Sequence, residues 1–320
     1  MYLQAKQIVT LQQLRGFGPA AIMKIGGYVY DNKISIDSDS RLWEVLKKVL
    51  SAKKLSKISF NDIQTASYNA LHIIEASEQK DIKVLGHWDK EFPEMLANVT
   101  DEEGKNKPCV LLYYKGNLNA LQKPGLAIIG TREPDFDGIK AGKYFARMFS
   151  KQGFNIVSGL AVGCDTLGHR GALDTDGITT AFLAHGLDTI YPIENKGLAD
   201  EIVERGGLLL SEYSFCTPVS RYNLVARDRL QSALAQACLV IETGRHGGTM
   251  HAARAALAAN KPLFVVDYSD KNGEKKQGNE WLISQGAVRL TTSEDALERI
   301  SIDIKIGSLR NTNTQLDLFA

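Results

Sequence analysis

The sequence of 320 residues has little of what marks secreted, membrane-spanning or disulfide-rich proteins. Its longest apolar runs, such as 237–241 and 262–266, are far shorter than the roughly 20 residues that a membrane span needs. The four cysteines include no C-x-x-C pair, so neither a disulfide framework nor a zinc site is predicted. The N-terminus has no basic stretch followed by an apolar one, which argues against a secretory signal. We therefore expect a cytoplasmic protein.

An excess of charge of one sign is also missing. There are 38 Lys and Arg against 37 Asp and Glu, so composition predicts no partner by itself. Any nucleic-acid site must be a local patch rather than a basic tail. With 44% hydrophobic and 23% charged residues, the chain is typical of a globular protein with a sizeable core.

Motifs of common nucleotide enzymes are absent from the sequence. There is no G-x-x-x-x-G-K-[ST] loop, and residues 138–144 lack both its spacing and its hydroxyl residue. Residues 130–134 do not match the dinucleotide motif G-x-G-x-x-G. Ser158 lies in Ile-Val-Ser-Gly rather than in a nucleophile elbow, and no Cys or carboxylate cluster accompanies His246 and His251. No catalytic residue, cofactor or metal site is predicted.

The first 80 residues are predicted to form a small helical domain. Helices are indicated over 10–14, 20–25, 40–50 and 60–77, with breaks at Gly16, Gly18 and Gly26-Gly27. The turn from Gly16 to Pro19 resembles a helix-hairpin-helix, in which glycine N–H groups approach a phosphate. A plain glycine-rich connection between two packed helices accounts for the same residues, and both interpretations stay open.

The rest of the chain is predicted to be an α/β domain. Residues 84–121 have scattered apolar positions and a charged stretch at 101–107, which indicates a linking segment. Short apolar runs then alternate with helix-length segments, at 126–130, 154–158, 179–183, 208–210, 237–241 and 262–266. Such runs are typical of parallel strands covered on both faces. The predicted fold is a doubly wound, mostly parallel Rossmann-like sheet that follows the helical domain.

Three loops at the carboxyl ends of these strands favour anion binding. They contain Gly130-Thr131-Arg132, Ser158-Gly159 and Gly247-Gly248-Thr249. Glycine allows close approach of the backbone, the next helix has free N–H groups, and arginine binds phosphate with two hydrogen bonds. Each loop alone is also an ordinary strand-to-helix connection. Three of them at one sheet edge predict a phosphate site.

Ordered motifs over about half of the chain resemble the DNA-processing protein A family (DprA, also called Smf). They begin at Trp88 and Phe92-Pro93 and continue through 128–132, 157–165, 169–172, 186–192, 210–213 and 217–218. The resemblance implies an extended Rossmann domain that binds single-stranded DNA without catalysis. It also implies a helical N-terminal domain, a homodimer, and a role in loading a RecA-type recombinase during DNA uptake or recombination.

The resemblance implies a set of DNA-binding residues. The family's Gly-Ser-Arg corresponds to 130–132, and its Arg-Asn-Arg corresponds to Arg227-Asp228-Arg229. Arg132, Arg227 and Arg229 are expected to meet at one edge of the sheet and neutralise phosphates. Asp228 in place of Asn weakens the positive field there. The other residues expected around the strand are Gly130, Thr131, Ser158, Gly159, Asn223, Gly247, Gly248 and Thr249.

A second functional interpretation rests on the loop at 247–249. Gly-Gly-Thr also resembles the nucleotide loop of lysine-decarboxylase-like phosphoribohydrolases, which need a carboxylate shortly after it. Here His251-Ala-Ala-Arg254 follows instead. Glu242, just before the loop, keeps open the alternative of a protein that binds nucleotides or hydrolyses nucleoside monophosphates.

The last twenty residues are predicted to be a flexible tail, so the expected domain boundaries are 1–80, 81–300 and 301–320. The winged-helix domain that is frequent in the family is expected to be missing. The tail contains a resemblance of its own, to the pentapeptide by which bacterial proteins bind the replication sliding clamp, at Gln315, Leu316, Asp317, Leu318 and Phe319. Its apolar side chains would fill a groove of the partner. Chain ends are also commonly disordered without any partner.

Overall fold

Five helices form the first 80 residues of the structure, a computed structural model that describes residues 2–269 and 273–290, together with 298, 300, 301 and 304. Ser38 caps α3, and Ser59 with Asp62 forms a capping box that begins α5. None of the described helices is long and apolar enough to cross a bilayer. The five are α1 (Ala5–Gln12), α2 (Pro19–Asp31), α3 (Asp39–Val49), the short α4 (Ala52–Leu55) and α5 (Phe60–Glu78).

The predicted helix break at Gly26-Gly27 is wrong. Helix α2 continues through both glycines to Asp31. A Cβ at Gly26 would overlap the ring of Trp88, which packs against the helix at this point. The glycine therefore permits close packing rather than a turn. The core of this helical module also continues into the sheet, since Ile8 and Leu209 belong to one buried cluster.

One sheet of nine strands follows, in the order β1-β2-β6-β5-β4-β3-β7-β8-β9. From β6 to β9 all neighbours are parallel, so the predicted fold class is confirmed. The strands are β1 (Lys83–Gly86), β2 (Leu111–Gly116), β3 (Gly125–Ile129), β4 (Asn155–Ser158), β5 (Thr179–Leu183), β6 (Leu208–Ser211), β7 (Ala237–Val240), β8 (Leu263–Val266) and β9 (Val288–Leu290). The helices between them are α6 (Phe136–Lys151), α7 (Cys164–Leu173), α8 (Lys196–Glu204), α9 (Arg221–Leu234), α10 (Gly248–Ala258) and α11 (Gln277–Ser284).

The segment 84–121, predicted as a linker, contributes two antiparallel strands to the sheet. Leu85 of β1 pairs with Leu112 of β2, and Tyr113 of β2 pairs with Ser211 of β6. The run at 109–114 is apolar enough for a buried strand. Pro108 and the charged loop before it hid that signal, because both features are typical of connections.

Side chains on both faces of the central strands are buried. Along β3, Leu126 and Ile128 pack into one core with α6, while Ala127 and Ile129 pack into another with α10. This arrangement explains why β3 is continuously apolar rather than alternating. It also leaves the ends of the strands as the places where polar groups gather.

The order of the strands places a crevice beside β3. The chain adds β4, β5 and β6 on one side of β3, then crosses over and adds β7, β8 and β9 on the other side. The loops that leave β3 and β7 therefore diverge at the carboxyl edge of the sheet. In doubly wound folds this switch point is where ligands bind.

Candidate functional site

A pocket of about 660 Å³ lies at the switch point, and we name it the switch-point pocket. Five segments line it: the loop after β3, the loop from β4 into α7, the loop after β5, the loop from β7 to α10, and the start of α9 with the residues just before it. The residues that define it in the argument below are Thr131, Arg132, Tyr191, Arg221, Leu224, Val225, Arg227, Asp228, His246, Gly247, Gly248 and Thr249. Gly130 also lines it, so seven of the residues predicted from the sequence are brought together here.

Backbone hydrogen bonds fix the loop after β3. The Thr131 N–H donates to the carbonyl oxygen of Glu242 (2.7 Å), and the Cys164 N–H donates to the carbonyl oxygen of Thr131 (3.1 Å). A Cβ at Gly130 would overlap the side chain of Cys164, and one at Gly163 would overlap the carbonyl group of Arg132. The loop that presents Arg132 is therefore held by close packing on both sides.

Two exposed arginines line the pocket, and a third lies in one of the loops that form it. Arg132 and Arg221 line it, and Arg245 lies in the loop from β7 to α10. None of the three forms an ion pair with another residue in the described part of the chain, unlike Arg147 and Arg170 elsewhere on the surface. Their charge is available to an anionic ligand.

The sequence interpretation did not include Arg221 or His246 among the site residues, although both line the pocket. Arg221 is the first residue of α9, directly after the capping Ser220. Its position in the sequence could have indicated this, because a helix of a doubly wound fold begins near the carboxyl ends of the strands, where ligands bind. His246 was noted only as a metal-ligand candidate.

The start of α10 brings Gly247, Gly248 and Asp228 together. Helix α10 has no side-chain cap, and Gly247 before it has a φ of +113°. Backbone N–H groups at a helix start favour an anion. The Asp228 carboxylate is close by, since a Cβ at Gly248 would lie 3.3 Å from its Oδ2. Burial raises the pKa of Asp228 to about 6, against the opposing effect of Arg227.

Arg227 lines the floor of the pocket, but its guanidinium is engaged within the protein. The residue is only 4% exposed. Its Nη1 donates to the carbonyl oxygens of Gly159 (2.7 Å) and Phe182, and its Nε lies 3.2 Å from Asp228 Oδ1. Arg227 therefore ties α9 to the ends of β4 and β5, rather than standing free for a phosphate as expected.

Four predicted residues do not line the pocket: Ser158, Gly159, Asn223 and Arg229. Ser158 is fully buried and donates to the carbonyl oxygen of Ile128 (2.6 Å). The Gly159 N–H donates to Asp165 Oδ2 (3.1 Å), and the Asn223 N–H donates to the Ser220 hydroxyl (3.1 Å). These groups shape the loops beneath and beside the pocket.

Arg229 lies on another side of α9, so the expectation that it joins Arg132 and Arg227 at the pocket is wrong. Its Nη1 and Nη2 donate to the two carboxylate oxygens of Glu212 (3.0 and 2.9 Å). Two positions along a helix correspond to a rotation of about 200° about its axis, so Arg227 and Arg229 leave α9 on nearly opposite sides. They therefore do not face one ligand. The Arg-x-Arg spacing could have shown this once α9 was predicted.

Glu242, on which the hydrolase alternative depends, lies below the pocket and is fully buried. Its Oε2 accepts the backbone N–H of Asp135 (3.0 Å) at the start of α6. It does not line the pocket that contains 247–249, so the geometry does not favour this alternative. Within the described residues, no group of three or more His, Cys, Asp or Glu side chains is suited to hold a metal ion.

The fold and the pocket define a class: Rossmann-like proteins with an anion-favouring crevice at the switch point of the sheet. The model of one family, DNA recombination-mediator protein A, matches residues 83–301. The chain belongs to this family, and the resemblance drawn from its motifs is confirmed.

Curated relatives support the assignment. Protein Smf of Escherichia coli is 35% identical over 217 residues, which are 68% of this chain and 56% of that protein. The DNA processing protein DprA of Streptococcus pneumoniae is 34% identical over 188 residues, which are 59% of this chain and 66% of that protein. The chain thus spans between about half and two thirds of the length of these two relatives. Neither name denotes an enzyme.

Two solved structures share the fold. DprA from Streptococcus pneumoniae superposes with a TM-score of 0.74 at 26% identity, covering 93% of this chain and 98% of that one. DprA from Helicobacter pylori gives a TM-score of 0.60 at 30% identity, covering 69% and 96%. The latter structure is described in terms of a single-stranded DNA binding mode.

Proposed function

We propose that this protein binds single-stranded DNA in the switch-point pocket, without catalysis, and delivers it to a RecA-type recombinase. The observation that carries the proposal is the meeting of Arg132 and Arg221, exposed and free of ion pairs in the described part of the chain, with the glycine backbone at 247–248. Family membership and the Helicobacter pylori relative support DNA as the ligand.

The pocket has features suited to both parts of a nucleotide. Guanidinium groups and helix N–H groups favour phosphates. Tyr191, Leu224 and Val225 offer an apolar wall, and Tyr191 and Val225 are each about 40% exposed. Bases have a sequence-independent affinity for such surfaces, which suits a protein that must accept any strand.

Replacement of Arg132 with glutamine is expected to weaken binding of oligothymidylate about fivefold at 0.1 M salt, because one phosphate contact on a single strand is lost. The slope of log affinity against log salt should fall by about 0.7. Fluorescence anisotropy of a labelled oligomer across a salt series measures both. Arg147→Gln is the matched control, since Arg147 is half-exposed and pairs with Asp174 away from the pocket. An Arg132 variant that behaves like this control would contradict the proposal.

Asp228→Asn is expected to tighten DNA binding at pH 7.5 several-fold and to lose this advantage below pH 6. Above its pKa of about 6 the Asp228 carboxylate is ionised and repels phosphate, and below it the wild-type side chain is neutral like asparagine. The ratio of the two affinities at each pH isolates Asp228, because every other titratable group is the same in the two proteins. A ratio that stays constant between pH 5 and 8 would exclude this role.

The partners are proposals of the same kind. A homodimer is tested by light scattering of the purified protein, and a molecular mass near 35 kDa would contradict it.

The predicted clamp-binding residues 315–319 lie outside the described residues. Recovery of a purified sliding clamp by the full chain should drop when Leu318 and Phe319 are deleted, and equal recovery would remove the clamp from the list of partners.

A further inference from the structure

Two grooves continue from the switch-point pocket towards the helical module. The middle groove, of about 740 Å³, shares Val225 with the pocket and is lined by Tyr222, the loop 101–107 and the turn before α2. The module groove, of about 590 Å³, shares Gly18, Pro19 and Lys107 with the middle groove. The three cavities therefore follow one another along the surface, and we call this series the track.

Positive charge is concentrated at the far end of this track. Residues 1–80 contain eleven Lys and Arg against seven Asp and Glu, a net charge of +4, whereas the whole chain has +1. Lys24, Lys54 and Lys107 line the module groove, and no carboxylate of the described residues lines it. Lys54 is held over the ring of Phe17, 4.5 Å from its centroid. The switch-point pocket is thus only one of two positive surfaces on the track.

The middle groove between them is lined by acidic residues that already have partners within the protein. Glu212 pairs with Arg229 (2.9 Å), Glu102 lies 2.8 Å from His251, and Glu103 pairs with Lys105. Asp101 accepts the backbone N–H groups of two neighbours in its own loop. These pairings reduce the repulsion that a strand would meet on its way through.

An aromatic side chain stands where the pocket and the middle groove meet. Tyr222, in the first turn of α9, is 80% exposed and lines the middle groove beside Val225. Tyr222 and Val225, which is 40% exposed, together present apolar surface to solvent along this groove. Stacking of a base on such a ring does not depend on which base it is.

We propose that the DNA strand held at the switch-point pocket continues over Tyr222 into the module groove, where Lys24, Lys54 and Lys107 hold its backbone. The inference rests on the proposed function and extends it to a second DNA-binding surface. It gives the glycine turn of the module a role, since Gly16 and Gly18 have open space where side chains would stand. A strand can therefore pass close to that turn.

The test compares short and long strands. An oligothymidylate of about six nucleotides fills one positive surface, whereas one of about twenty reaches both. The triple variant Lys24→Gln, Lys54→Gln, Lys107→Gln should bind the long oligomer about a hundredfold more weakly at 0.1 M salt, at about fivefold per contact, with a salt slope lower by about 2. Its affinity for the short oligomer should change little. Tyr222→Ala should weaken the long oligomer about tenfold.

The matched control is Lys6→Gln, Lys80→Gln, Lys83→Gln, which removes the same charge from three exposed lysines that line none of the three cavities. Equal affinities of the two triple variants for the long oligomer would overturn the inference and leave the proposed function intact. An Arg132→Gln protein that binds the short oligomer like wild type would instead overturn the proposed function. The single lysine variants, each expected to lose about fivefold, decide the question if the triple variant melts at a lower temperature.

Discussion

Replacing Arg227 with methionine is expected to lower the free energy of unfolding by about 3–5 kcal/mol, the loss that follows when one member of a buried charge cluster is removed. The guanidinium donates to the carbonyl oxygens of Gly159 and Phe182 and pairs with Asp228. It also opposes the rise in the pKa of the buried Asp165. Without Arg227, the carbonyl groups of Gly159 and Phe182 lose a donor. The buried carboxylates of Asp165 and Asp228 lose the positive charge beside them.

The deficit of the Arg227→Met protein should grow as the pH rises. Burial holds the pKa values of Asp165 and Asp228 above the ordinary value in the folded protein, and loss of the cation raises them further. The folded state then binds more protons than the unfolded state, so stability falls with increasing pH above about 4. Urea unfolding at pH 5 and pH 8 measures this difference.

Arg147→Met is the control for this experiment, because Arg147 is half-exposed and its pair with Asp174 lies at the surface. Its expected cost is below about 1 kcal/mol. Similar losses in the two variants would show that Arg227 is not a structural centre. If the Arg227→Met protein instead has normal stability but no longer binds DNA, Arg227 is a phosphate ligand, as the family pattern implies.

Gly163→Ala is expected to cost about 2–6 kcal/mol and to weaken DNA binding. Gly163 has a φ of +80° and a ψ of −129°, a conformation nearly restricted to glycine, where an L-residue loses about 1–3 kcal/mol. A Cβ there would also overlap the carbonyl groups of Thr131 and Arg132, and overpacking of this kind typically costs about 1–3 kcal/mol more. Relief of the overlap must move the loop that presents the Arg132 guanidinium to the pocket.

Gly153→Ala separates the cost of the backbone conformation from the cost of the steric overlap. Gly153 has a similar φ of +87°, but nothing lies within 4 Å of a Cβ at this position. Its variant should therefore lose only the backbone part, about 1–2 kcal/mol, and should bind oligothymidylate like wild type. Thermal unfolding and anisotropy measure both quantities. Equal DNA affinities of the two variants would show that the Arg132 loop does not depend on Gly163.

The three arginines of the family motifs differ in what they contact. Arg132 is exposed and lacks an ion pair in the described part of the chain, Arg227 is buried among carbonyl and carboxyl groups, and Arg229 is paired with Glu212 on another side of α9. Only the first has a guanidinium available to a ligand without breaking an existing contact. The exposed arginines that line the switch-point pocket are Arg132 and Arg221, rather than the expected set 132, 227 and 229.

Much of the fold was predictable because its signals are local. The run at 179–183 forms a strand over the predicted residues, since a fully buried parallel strand is continuously apolar. The turn chemistry of 130–132 and 247–249 placed two sides of the pocket correctly, because carboxyl ends of parallel strands share an edge. The signals at Gly26 and at 109–114 were misleading, because the first depends on Trp88 and the second on neighbouring strands.

The sequence alone determined the helical module, the alternation of strands and helices, the glycine loops and the family, because each depends on residues close together in the chain. Only the tertiary structure decided which arginines are free. Arg227 meets carbonyl oxygens 68 and 45 positions away, and Arg229 meets a carboxylate 17 positions away. Such partners are set by how strands and helices pack, and a buried charge must find them because leaving it without a partner costs several kcal/mol.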